Sequence, residues 1–144
     1  RLFGVDILAV KEVTAETSFT QVAHAPDEVL GLVNIRGHIY LALDLRRLLG
    51  MSATARTGDS RLVLFKPTVG NAFGVVVDRI SDIRTVEPDH IEGFVQKEHD
   101  AAAAVAGRVE LIEAICELPD GLLVVLKPER FLAVVEQNLA VSPS

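Results

Sequence analysis

Gly31–Gly50, GLVNIRGHIYLALDLRRLLG, carries turn, strand and helix signals in an order hard to reach by chance. Leu32 to Ile35 reads as a strand, and Arg36-Gly37 supplies a reversal in which glycine tolerates a positive φ. Ile39 to Leu43 reads as the returning strand. Asp44 then opens a short helix, because its carboxylate can accept from the free amides of the first turn. Leu45-Arg46-Arg47-Leu48-Leu49 fills one or two turns, and Gly50 stands where a left-handed C-terminal cap belongs. The predicted unit is hairpin, cap, helix, stop.

Upstream, Leu2 to Val13 is rich in Val, Ile and Leu and reads as extended, although Ile7, Val10 and Val13 also fit a period near 3.6. Thr14 to Ala23 suits an exposed strand. Ala25-Pro26-Asp27-Glu28 has the proline and acids of a helix start, which Gly31 would end after one turn. Downstream, Met51 to Ser60 is small and polar and predicts a mobile loop. Arg61 to Lys66, the turn residues of PTVGN, and Ala72 to Val77 predict a second hairpin, with Gly74 a bulge or a site of close approach. Asp78 to Val86 is divided: Ile80, Ile83 and Val86 recur every third residue, while β-branched content leans toward a bulged strand. Gln96 to Ala104 fits either helix or loop. Val105 to Leu118 and Leu122 to Leu126 form a third hairpin about Pro119-Asp120-Gly121, with Gly107 a possible kink. Pro128 begins a last helix whose inward face is Phe131, Leu132 and Val135, and the tail from Asn138 is expected to fray. Hairpin followed by helix thus occurs twice, as two related lobes would require, and many short strands with frequent turns indicate a mainly β fold with small barrels and capping helices.

The chain has 144 residues, a length suited to one domain of residues 1–144 or two small lobes sharing a core. Hydrophobic residues make up 49% but aromatics only 5%, with no tryptophan, so Val, Leu, Ile and Ala must build that core. A formal net charge of −6 argues against a phosphate backbone as partner, and hence against nucleic acid. The apolar runs are broken by charge well short of the roughly 20 residues a membrane helix needs, which excludes direct membrane insertion by that route. The single Cys116 has no internal disulfide partner and fits a cytoplasmic location. Opening on Arg1 instead of Met fits a trimmed chain or part of a longer one.

Catalytic signals are missing. The four histidines, His24, His38, His90 and His99, show no i, i+4 pairing, and with one cysteine there is no CxxC, so neither a metal nor another cofactor is expected. Cys116 lies in LIEAICEL, where a core role outweighs a nucleophile. No GxGxxG, GxxxxGK[ST] or GxSxG occurs. Asp44 and Asp78 each follow an apolar strand, and capping or turn bonding accounts for them better than acid–base chemistry. Arg36, at the tip of a tight reversal, is either an interface residue or an ordinary solvated arginine.

Four segments, FGVDILAVKEV from Phe3, GLVNIRGHIYLALDLR from Gly31, GVVVDRISDI from Gly74 and LLVVLKPERFL from Leu122, together resemble the CheW-like coupling domain of bacterial chemotaxis. NxRG with DLR seven residues after its glycine, followed by GxxVD, is the specific part of that likeness. The resemblance implies two SH3-like five-stranded β-barrel subdomains on a shared hydrophobic core, with a few short helices and no catalysis. It implies a cytoplasmic adaptor, recruited to membrane-associated receptor arrays, that joins a CheA-type histidine kinase to the tip of a methyl-accepting chemoreceptor. The alternatives are a CheW-like module cut from a CheV-like adaptor or from the kinase itself, and, from another class, a small-ligand-binding β-barrel. The protein-binding positions carried over are Val10, Glu12, Gly31, Asn34 and Arg36, although Val10 equally fits core, and Gly31 and Gly37 fit backbone shape. Gly37, Asp44 and Asp78 are assigned to turns and caps. The family pattern has a further strand before the opening motif, for which the sequence from Arg1 leaves two expectations, removed residues or a barrel with an open edge; Leu41 replaces the common proline of the returning strand, and Lys127 replaces a usual aspartate near the close.

Overall fold

The structure, a computed structural model, describes residues 2–15, 18–52, 57–81, 83, 85–86, 91–93, 109–119 and 121–140. The described strands are β1 (Leu2–Gly4), β2 (Val10–Ala15), β3 (Val29–Ile35), β4 (His38–Asp44), β5 (Arg61–Phe65), β6 (Phe73–Val77), β7 (Ile91–Gly93), β8 (Ile112–Leu118) and β9 (Gly121–Leu126). Helices α1 (Leu45–Leu48) and α2 (Phe131–Ala140) follow β4 and β9, with single 3-10 turns at Ile7–Ala9, Val109–Leu111 and Pro128–Arg130.

Two sheets result. One has five strands in the order β2-β5-β6-β4-β3, and the other has four among the described residues, β1-β9-β8-β7, where five were expected. The first strand pairs parallel with β9, so the chain starts in the sheet that its C-terminal half completes. The turn at Ile7–Ala9, capped by Asp6 Oδ1 on the Leu8 amide at 2.9 Å, then carries it into the five-stranded sheet. The lobes are therefore interleaved in sequence, not consecutive.

Strands β5 and β6 explain how two lobes share one core. Val63 and Phe65 of β5, with Phe73 and Val75 of β6, join Leu111, Ile112, Ile115, Val124, Leu126 and the α2 residues Phe131, Val134 and Val135 in one cluster. The alternate residues Leu62, Leu64 and Val76 turn the other way, onto Val33, Tyr40 and Ala42. A strand buried on both faces reads as an unbroken apolar run, as RLVLF and FGVVV do. A Cβ on Gly74 would lie 2.5 Å from the Val63 carbonyl oxygen, which confirms close approach at this position.

Several expectations are corrected. Ala25 to Glu28 forms turns, not a helix start, and Gly31 lies within β3 instead of ending a helix. The described part of Asp78 to Val86 is not strand. The reason is register: β6 meets the last residue of β4 at Val76 and the first residue of β5 at Val77, so beyond that point it has no partner. Strand β8 begins only at Ile112, and α2 continues through Asn138 to Ala140. Gln96 to Ala104 and Gly107 lie outside the described residues.

Candidate functional site

The β3–β4 hairpin turns through two residues, since Ile35 pairs with His38. Arg36 has φ 53° and Gly37 φ 85°, the double left-handed geometry that matches the twist of a hairpin. Asn34 Oδ1 accepts from the Gly37 amide at 2.9 Å and holds the bend. The bend stands at the surface, as the sequence suggested. The Arg36 side chain is 77% exposed, and its Nη1 lies 2.7 Å from Glu12 Oε1 of β2. Ile39, paired with Asn34 across the hairpin, is 52% exposed and gives the same tip an apolar side chain that was not singled out from sequence.

Glu12 reaches this tip because β2 contains a bulge. Val10 pairs with Phe65 and Glu12 with Leu64, so Lys11 is an extra residue opposite one step of β5. Lys11 Nζ donates to the Tyr40 hydroxyl at 2.9 Å and lies 5.5 Å from the ring centroid. Two adjacent β2 residues thus bridge to one hairpin by side chains alone. The signal for the second bridge was a lone tyrosine in an apolar strand, whose hydroxyl needs a partner when buried.

The remaining predicted positions separate by role. Val10 is half-buried and packs on the shared core. Gly31 is buried at a second bulge, between Val29 and Gly31, with φ 144°, and a Cβ there would sit 2.3 Å from the Thr20 carbonyl oxygen. Thr20 and Leu32 exchange backbone hydrogen bonds of 2.8 Å at that point, so only glycine admits this segment against β3. Asp44 Oδ1 accepts from the Arg46 amide at 3.0 Å, as a cap does. Asp78 follows β6, and its carboxylate receives Arg46 Nε at 2.9 Å and Nη2 at 2.7 Å. That hydrogen bonding raises the guanidinium pKa further above its ordinary value.

Sequence reasoning also missed a buried polar contact between distant parts of the chain. Glu28, 5% exposed, accepts from Asn138 Nδ2 at 2.5 Å and ties α2 to the start of β3. With 110 residues between them, no local pattern points to the pair. Among the described residues no group of His, Cys, Asp or Glu could hold a metal ion, and no helix is long and apolar enough to cross a membrane. Burial pushes the Cys116 thiol pKa up, which favours the protonated, unreactive form.

The described residues thus form a two-sheet β module that presents a charged hairpin tip at its surface. A family model described as CheW-like domain matches residues 1–136, and the chain belongs to that family. A chemotaxis protein CheW of Rhizobium meliloti is 32% identical over 114 residues, covering 74% of this chain and 73% of the relative. The chemotaxis protein CheW of Klebsiella aerogenes is 27% identical over 138 residues, covering 95% and 78% respectively. The crystal structure of the scaffolding protein TtCheW from Thermoanaerobacter tengcongensis aligns with a TM-score of 0.73 at 23% identity, covering 90% of this chain and 83% of that one, a likeness of fold. The protein is a non-catalytic chemotaxis protein of the CheW family.

Proposed function

We propose that this chain couples a CheA-type histidine kinase to the cytoplasmic tip of a methyl-accepting chemoreceptor within a membrane-associated array. The observation that carries the reading is the Arg36 tip. An exposed arginine held by one carboxylate at 2.7 Å keeps most of its guanidinium donors available, beside the exposed Asn34 and Ile39. Arginine is among the residue types enriched in binding hot spots, with tryptophan and tyrosine. Glu12 acts as an electrostatic selector, while Val10 and Gly31 shape the surface from beneath. Each contact is of moderate strength, and array geometry multiplies them. Receptor signalling then shifts kinase conformations through a coupling of about 1–3 kcal/mol.

Arg36→Glu tests this. It places like charges at the tip, and affinity for a purified kinase regulatory domain or a soluble receptor-tip fragment is expected to fall by about 1.5 kcal/mol or more, read by calorimetry. The fold should persist by circular dichroism. Unchanged affinity for both partners would sink the proposal.

A further inference from the structure

We propose that Lys11 and Tyr40 are positioning residues, which fix the Arg36–Glu12 pair in the geometry a partner meets; this rests on the function proposed above. The starting point is that the ion pair is poorly placed to order itself. Arg36 is 77% exposed and Glu12 21% exposed, and pairs open to solvent are screened and give little net order to long side chains. Among the described residues, no backbone ladder joins β2 to the hairpin, because β2 pairs with β5 and β3 pairs with β4. The two elements are joined only through β5 and β6 of the same sheet, which leaves the fine placing of the Glu12 and Arg36 side chains to side-chain contacts.

Tyr40 is suited to this role. Its ring is 6% exposed and packed among Val33, Ala42, Leu62, Leu64 and Val76, so its hydroxyl is a stationary acceptor. Lys11 donates to that hydroxyl at 2.9 Å, with its ammonium beyond the hydroxyl end of the ring. The next residue along β2 is Glu12. Because the bulge makes Lys11 the extra residue, Lys11 and Glu12 both reach toward the hairpin, where a regular strand would send neighbours to opposite faces. The path of constraint is short: packed ring, lysine, one peptide bond, glutamate, arginine.

Tyr40→Phe removes the hydroxyl and keeps the ring in its packing. Lys11→Met removes the ammonium and keeps most of the stem. Each is expected to weaken binding to a purified CheA-type regulatory domain and to a soluble receptor-tip fragment about three- to tenfold, in the lower part of the range for contacts coupled through shared side chains. In an Arg36→Ala background the same changes should have no further effect. A loss of equal size in both backgrounds would overturn the positioning role, because it would act independently of Arg36. A second readout needs no partner: the NMR order parameter of the Arg36 Nε–H group should fall in Tyr40→Phe and in Lys11→Met. Unaltered order there would overturn the inference whatever the binding data show. If Arg36→Ala binds both partners like the parent while Tyr40→Phe still loosens Arg36, the positioning stands and the proposed function falls.

Discussion

At the scale of single residues, the hairpin tip sets conformational cost against presentation. An L-residue in the left-handed region costs about 1–2 kcal/mol, and Arg36 accepts that cost at φ 53°. Gly37, at φ 85°, avoids it. A Cβ on Gly37 meets no atom within 4 Å, so a side chain there is opposed by torsion alone. Gly37→Val is therefore expected to destabilise the protein by about 1–2 kcal/mol, without a packing defect, since β-branched residues resist positive φ. A melting temperature equal to the parent's would refute the turn assignment. Gly31 differs, because there a Cβ would collide with the Thr20 carbonyl, and relief requires backbone movement.

At the scale of elements, whatever depends on neighbours in sequence was legible. Asp44, LRRLL and Gly50 specify a capped turn from within seven residues, and the structure forms α1 where they place it. Asp44→Ala removes the acceptor for the Arg46 amide and is expected to cost about 1 kcal/mol, with Asp44→Asn retaining most of the stability. Urea unfolding midpoints check this: equal midpoints for the alanine variant and the parent would show that the cap does not hold the helix. Elements fixed by distant partners were not legible. Pro26 and the acids after it suit a helix start and a turn alike; the chain forms the turn, with the Val29 amide on the Pro26 carbonyl at 3.0 Å, and Glu28 is buried against Asn138, 110 residues away. Asp78 to Val86 has strand composition but no strand beside it. The candidate site divides in the same way. Asn34, Arg36 and Gly37 follow from the turn chemistry of one hairpin, whereas Lys11 and Tyr40 meet across 29 residues through a bulge that nothing in VKEV announces.

At the scale of the whole molecule, interleaving implies that the sheets lose their structure together. Phe65 stacks on Phe73 with centroids 5.1 Å apart and meets Phe131 edge-on at 5.9 Å, so the five-stranded sheet is locked to α2, which also packs on β8 and β9. Cys116, buried in β8 of the other sheet, reports on this coupling. Phe131→Ala is expected to cost about 3–5 kcal/mol. If the lobes open as one unit, labelling of Cys116 by a thiol reagent should accelerate in step with that loss. Labelling that stays slow while circular dichroism shows the five-stranded sheet melting would show independent lobes. The thiol also sets a pH signature, because burial raises its folded-state pKa. Its contribution to stability is complete below the unfolded value of about 8.5 and declines as pH rises past it, since the unfolded state then releases its proton first. Unfolding free energy should thus fall more steeply above about pH 8.5 in the parent than in Cys116→Val, where the titrating group is gone. Parallel pH profiles for the two would mean that the thiolate is accommodated in the fold, against the burial of Cys116 among apolar neighbours.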